Sequence, residues 1–522
     1  MSLYISQCKR FFIVFSLFFL LVPTEVFASK IIYIPLDNRP VSLDYVVDTV
    51  QTADIKIVSP PEELIATRNS DGQPDELWQW LLKNAKNAQS AVISTDALIY
   101  GGLVPSRTHH LSAEVIASRV NRLKELKNKF PQLKIYCFSS LLRTPRQSFG
   151  NVEPHYYEEH GADFFRLGEL LDKQEVHGPD ALDQIEIKNI IELMPEEHYD
   201  DWFERREKNY QANLQLADLA RKRFFHYYAI GKDDNAPLSQ THIETRKLLE
   251  ETKDISSARL QIIPGIDQIS ILLLVRAINE RTWTQPYVYT FYADGAGAST
   301  IPLYSDQTVG ESISAQILAT GGLPTLNMEQ ADLILVVNTP FNGVTLEATH
   351  PQNLAFISER ERKLANDVKK LLKEGKPLAL ADVAYANGAD NGFMKELYLN
   401  NLLYSLTSYA GWNTADNSIG SALAQGLLSK HHSNEESKRF IQIRLLDDWY
   451  YQANVKKQLT EYAVEENINI YHLDNQAKNA NQWLKYLMKQ FNDEYCDLKI
   501  DHYSAELPWN RLFEVYIKID KK

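Results

Sequence analysis

Cysteine is scarce in this chain, with only three residues in 522, and neither a Cys-x-x-Cys nor a His-x-x-x-His pair occurs. The spacing of a structural or catalytic zinc site is therefore missing, as is a disulfide framework. There is no basic tract: 55 Lys and Arg stand against 68 Asp and Glu, for a formal net charge of −13. So acidic a chain is a poor nucleic-acid binder. No Gly-Lys-Ser or Gly-Lys-Thr is present, which excludes a P-loop. No Gly-x-Ser-x-Gly is present, which argues against a serine hydrolase of the elbow type. Low-complexity tracts and internal repeats are also missing.

What is present begins with an export signal. Lys9 and Arg10 precede the apolar run from Phe11 to Val22, and Val26-Phe27-Ala28 puts small residues where a signal peptidase reads. Residues 1–28 are predicted to be a secretory signal peptide, giving a secreted or extracytoplasmic protein. The run falls short of the roughly 20 apolar residues of a membrane span, so no stable span is expected after cleavage. Cys8 leaves with the signal. Cys137 and Cys496 remain, and the sequence does not pair them. Hydrophobic content of 44% with 24% charged residues fits a globular protein, and the length implies more than one core.

Short β-rich apolar runs alternate with longer amphipathic stretches. They are Ile31 to Leu36, Ile55 to Val58, Ala91 to Ser94, Lys134 to Ser139, Phe224 to Ile230, Leu260 to Ile263, Tyr287 to Tyr292, Leu333 to Val337 and Leu378 to Ala381. Strand and helix in repetition predict an α/β protein with parallel sheets covered on both faces. Nine strands exceed the eight of one barrel, and Thr282 to Pro286 reads as a change of unit. The expectation is a (β/α) barrel-like domain over 29–285 with a helical insertion at about 156–223. A Rossmann-like α/β domain over 286–425 follows, then helices and a strand pair over 426–522, with strands near Asp497 to His502 and Phe513 to Ile519. One continuous sheet is the alternative.

Loops after the C-terminal ends of parallel strands converge on one face, where ligands bind. The first such loop holds Asp37, Asn38 and Arg39 between Pro35 and Pro40, either as a ligand loop or as an ion pair closing the strand end. The second holds Asp96, Tyr100, Gly101, Gly102 and Arg107, with glycines suited to close backbone approach or to a structural turn. Arg143 adds a cation after the next strand. The third loop, Lys232-Asp233-Asp234-Asn235, has two adjacent carboxylates that can divide labour if their environments separate their pKa values. Helix capping and divalent-cation binding are the other readings of that pair. Asp267 follows a further strand. Asn387, Asp390, Trp412 and Asn413 come from the second unit, with Trp412 either stacking on a sugar face or packed in an interface. A mouth lined by Asp, Asn, Arg, Tyr and Trp suits a polyhydroxylated ligand.

At these motifs the chain resembles a bacterial family catalogued as domain of unknown function 4127. The likeness runs over nearly all of the mature chain. It includes Pro35 to Pro40, Ser94-Thr95-Asp96, Tyr100 to Leu103 with Ser106-Arg107, Lys232 to Asn235, Pro264 to Asp267, Tyr385 to Asp390, Gly411 to Thr414 and Pro508-Trp509-Asn510-Arg511. Where an acid is expected after the Pro-Gly-x-Asp motif, this chain has Gln268. The family name implies no activity. Separately, Lys232 to Asn235 after an aromatic strand is similar to the arrangement in barrel glycosidases that cleave N-acetyl amino sugars. There one carboxylate orients the substrate acetamide as nucleophile and its neighbour acts as general acid and then base.

The resulting expectation is a secreted glycoside hydrolase for N-acetyl amino-sugar glycans, with Asp233 and Asp234 catalytic and no cofactor or metal. Asp37, Asn38, Arg39, Asp96, Tyr100, Arg107, Arg143, Asn235, Asp267, Asn387, Asp390, Trp412 and Asn413 would hold the carbohydrate. A non-catalytic carbohydrate-binding protein is one alternative. A metal-dependent hydrolase built on Asp233, Asp234 and Asp267 is another.

Overall fold

The computed structural model describes residues 29–52, 54–147, 152–496, 498–500 and 502–520. The expected signal peptide lies outside the described residues. Among those described, no helix is long and apolar enough to cross a membrane.

Six parallel strands form the first sheet: β1 (Ser29–Ile34), β2 (Ile55–Val58), β3 (Ser90–Ser94), β4 (Lys134–Leu141), β5 (Tyr227–Lys232) and β6 (Leu260–Pro264), in the order β2-β1-β3-β4-β5-β6. The second sheet contains β7 (Tyr287–Tyr292), β8 (Leu323–Thr325), β9 (Leu333–Asn338), β11 (Leu378–Asp382) and β13 (Ser408–Ala410), ordered β13-β11-β9-β7-β8. Two small pairs complete the set: β10 (Leu346–Glu347) with β12 (Tyr385–Ala386), and the antiparallel β14 (Tyr503–Glu506) with β15 (Tyr516–Ile519).

The fold is thus mixed α/β with parallel sheets, but the barrel-like expectation for residues 29–285 is corrected, because neither sheet closes. The physical reason is strand order. β1 pairs with both β2 and β3, so the winding reverses beside β1 and leaves β2 and β6 as free edges. Counting strands along a sequence does not reveal that reversal. Counted along the chain from its own first strand, the second sheet repeats the order, with β7 between β8 and β9. Ligands of open parallel sheets bind at such reversals, beyond the C-terminal strand ends.

Alternate side chains of β1 go to opposite cores: Ile31 and Tyr33 to one, Ile32 and Ile34 to the other. The first of these cores is shared by both sheets. The helices Ile269–Thr282 and Ala415–Leu428 lie between the sheets, and their apolar residues join Val92 and Phe138 of the first sheet to Leu335, Ala379 and Ala381 of the second. Every residue from Ile269 to Asn279 is buried, as an Ile-Ser-Ile-Leu-Leu-Leu-Val run with apolar residues on all sides requires. Helices Pro74–Ala85, Ala113–Lys129 and Glu196–Arg221 cover the outer face of the first sheet. The C-terminal helices and β14–β15 cover the outer face of the second. Between β4 and β5, the helices Tyr157–His177, Ala181–Leu193 and Glu196–Arg221 interrupt the strand rhythm.

Candidate functional site

The loops beyond β1, β3, β4, β5 and β6 meet loops of the second sheet and the C-terminal segment around a cavity of about 290 Å³. Asp37, Arg39, Arg107, Arg143, Asp233, Asp234, Asp267, Asn387 and Asn413 line it, so most of the polar residues marked in the sequence converge.

Arg39 organises one wall. Its Nε donates to Asp37 at 2.9 Å and a terminal nitrogen donates to Asp267 at 2.7 Å. Asp37 also accepts the Arg39 backbone N–H at 3.1 Å, a local turn that fixes the loop between its two prolines. Asn413 donates to Asp267 at 3.1 Å, tying the second sheet's last strand end to the first sheet's. Burial raises the Asp267 carboxyl against the pull of Arg39.

The opposite wall holds the carboxylate pair. Arg107 bridges Asp233 and Glu153, while Arg143 donates to Glu153 at 2.7 Å and to Asp234 at 2.7 Å. Burial pushes Asp233 up, but the Arg107 and Arg143 guanidiniums outweigh it and hold the carboxyl below its ordinary range. Burial and the neighbouring Asp233 charge push Asp234 up, and Arg143 does not cancel them. The two adjacent acids are therefore driven apart, one toward the ionised form and the other toward the protonated form. Asp234 is also the more open, with 27% of its side chain exposed against 7% for Asp233.

The capping reading of this pair is not realised. The next helix, Gln240–Thr252, is capped by Ser239, whose hydroxyl accepts from the His242 N–H at 3.0 Å. As cation ligands, Asp233, Asp234 and Asp267 are poorly suited, because each is already paired with an arginine. Among the described residues no group of three His, Cys, Asp or Glu side chains is arranged to hold a metal.

Six of the marked residues lie elsewhere. Asp96 is buried beneath the site and accepts the Ser140 N–H at 3.0 Å, and burial pushes its carboxyl up to about 7. Tyr100 stacks on His109 at 4.7 Å. The adjacent glycines serve chain packing: at Gly102 (φ +143°) a Cβ would come within 2.4 Å of the Ala66 Cβ, so the loop approaches protein rather than ligand. Asp390 caps the helix Asn391–Leu399 through the Gly392 and Phe393 N–H groups at 3.0 and 3.2 Å. Trp412 is buried edge-on against Phe513 at 6.1 Å, in the interface rather than on the cavity wall. Asn38 stands behind the wall and accepts from the indole of Trp509 at 2.7 Å. Asn235 lines an adjoining cavity, where its side-chain oxygen accepts from Ser239.

The aromatic lining comes from residues not marked in advance: Tyr304, Tyr471, Trp509 and Phe513. Trp509 sits between Arg39 and Arg511, 5.6 and 4.8 Å from its ring. Arg511 is held by Glu514 at 2.6 Å. The signal for this wall was the Pro-Trp-Asn-Arg motif, more than 400 residues from the loop it covers. Glu153, which links Arg107 to Arg143, had no signal of its own.

At the ends of β9 and β11 in the second sheet, Asn338 donates to Asp382 at 2.8 Å and to Asp390 at 3.2 Å, and Arg360 donates to Asn338 at 2.7 Å. Burial, reinforced by Asp390, raises Asp382 to about 7. This cluster is filled by its own side chains.

Fold and site together define a two-sheet α/β protein whose strand ends enclose a charged cleft with aromatic walls. The chain belongs to the family described as protein of unknown function DUF4127, whose model matches residues 31–518. A comparison with curated proteins gives no match.

Proposed function

We propose that the chain is an exported glycoside hydrolase acting on N-acetyl amino-sugar glycans. The observation that carries this reading is the opposite displacement of two neighbouring carboxyls, Asp233 down and Asp234 up, on the wall of an aromatic-lined cavity. Such a displacement favours the ionised form of one acid and the protonated form of the other, which is the division of labour the reaction needs.

In this scheme Asp234 gives its proton to the glycosidic oxygen as the bond from that oxygen to the anomeric carbon breaks. The substrate's own acetamide oxygen forms the new bond to that carbon. Asp233 accepts the acetamide N–H through Oδ1, since Arg107 engages Oδ2. Water then adds to the anomeric carbon, releases the acetamide oxygen and returns a proton to Asp234. Tyr304 offers a ring face to the sugar, Trp509, flanked by Arg39 and Arg511, adds apolar ring edge, and Asp37, Arg39, Asp267 and Asn413 read its hydroxyls. The test is release of chromophore from a panel of aryl glycosides by wild type, Asp233→Asn and Asp234→Asn. Turnover confined to 2-acetamido sugars and lost in both variants supports the proposal. Undiminished turnover in both variants refutes it.

One observation favours a second reading, a non-catalytic carbohydrate-binding protein: the cleft acids Asp37, Asp233, Asp234 and Asp267 all have arginine partners. That reading predicts saturable sugar binding without turnover, surviving Asp234→Asn.

A further inference from the structure

Asp234 lines two cavities. Beside the 290 Å³ chamber lies a second of about 590 Å³, and Pro145, Gln147, Asp234, Tyr304 and Tyr471 line both. The chambers differ in chemistry. The first holds Asp37, Asp233 and Asp267 with their arginines; the second has Asp234 as its one acid among the described residues and draws apolar surface from Phe165, Leu303, Tyr304 and Pro145. Leu303 and Tyr304 are substantially exposed at its lip.

The arginines also differ. Arg39, Arg107, Arg143 and Arg511, in the first chamber, all have carboxylate partners. Arg146, in the second, has its guanidinium 4.9 Å from the Phe165 ring and no acid partner among the described residues. Arg146 is exposed, and a guanidinium resting over a ring at the rim of a cavity is suited to a planar carboxylate brought by a ligand.

We propose that the second chamber is the leaving-group site, and that it selects an apolar group bearing a carboxylate, which Arg146 reads while Phe165 and Leu303 cover its body. The assignment of a leaving group rests on the hydrolase reading, because it puts the proton donor at the boundary between the two halves of the substrate. The smaller polar chamber then takes one sugar unit, and the larger one takes what is released.

The experiment separates chamber chemistry from turnover. Binding of 4-hydroxybenzoate and its uncharged twin 4-hydroxybenzamide is measured by ligand-observed NMR titration at fixed ionic strength, on wild type, Arg146→Gln, Arg146→Lys and Phe165→Ala. Wild type should prefer the carboxylate by about fivefold, the scale of one partly exposed charge pair. Arg146→Gln should erase the preference, Arg146→Lys should keep part of it, and Phe165→Ala should weaken both compounds alike. Equal binding of the twins by wild type, a preference that survives Arg146→Gln, or no binding of either compound overturns the proposal. The glycoside panel judges the hydrolase reading independently, so the chamber can be right while that reading fails, and the reverse.

Discussion

Arg107→Gln is the most informative single change in the cleft. The guanidinium is 6% exposed and bridges Asp233 and Glu153, whose side chains are 7% and 2% exposed. Removing one partner of a buried ion pair leaves an uncompensated charge and costs about 3–5 kcal/mol. Arg143 still touches Glu153 and Asp234, so the lower end of that range is expected at pH 7. The cost also has a pH sign. In wild type the depressed Asp233 contributes stability above its unfolded pKa that is lost as pH falls through its folded pKa. Without Arg107, burial dominates and raises that carboxyl, so acidification relieves the variant by protonating it. The deficit of the variant relative to wild type should therefore shrink between pH 7 and pH 4. Urea unfolding followed by tryptophan fluorescence and far-UV circular dichroism measures it, with coincident transitions as the condition for quoting a free energy. In a double-mutant cycle, Arg107→Gln with Asp233→Asn should recover much of the loss, because two amides replace two charges. A deficit below about 1 kcal/mol at pH 7, the scale of an exposed pair, or one that grows on acidification, refutes the argument.

Other outcomes follow from the same geometry. Under the proposed function the pH profile of kcat/KM is bell-shaped, its acid limb set by Asp233 and its alkaline limb by Asp234; Arg143→Gln should move the alkaline limb to higher pH by removing the cation that restrains Asp234. Trp509→Ala should weaken sugar binding about tenfold with little change in kcat, read as a rise in KM in steady-state kinetics. Asp390→Ala should cost about 1 kcal/mol through a lost helix cap while leaving ligand affinity unchanged, as calorimetric titration would report. Asp96, raised to about 7 by burial, contributes stability that is present below its unfolded pKa and lost as pH rises through 7; Asp96→Asn should flatten that part of the stability profile.

The sequence was most readable where the chemistry is local. Strands such as β1, β3 and β9 announce themselves as β-branched runs buried on both faces, and the Asp, Asn and Pro residues that follow them mark the binding edge. The two-residue strands β10 and β12 and the three-residue β8 and β13 carry too little pattern to stand out, and β5 begins later than its aromatic run because Phe224 and Phe225 precede the pairing. The first of the expected C-terminal strands is likewise found later, at Tyr503–Glu506. Whether a sheet opens or closes depends on which distant strands pair, and alternation alone does not encode that. Within the site, Asp37, Arg39, Asp233 and Asp267 were legible as strand-end polar residues. Asp96, Asp390 and Trp412 had the same appearance but serve as backbone acceptor, helix cap and packing, because one side chain suits either use. Trp509 and Glu153 could be placed only by folding.

The two sheets clasp the same pair of helices, Ile269–Thr282 and Ala415–Leu428, as filling between them. A protein that captures its ligand by swinging two lobes together needs a seam that can part, and here the seam is the apolar interior itself. Parting the lobes would bring Leu272, Leu273, Ile419 and Leu423 into water, at about 1.5–3 kcal/mol for each side chain. A hinge between the two sheets would have to break this shared interior, so the strand ends of both sheets that line the cleft are held in one fixed frame.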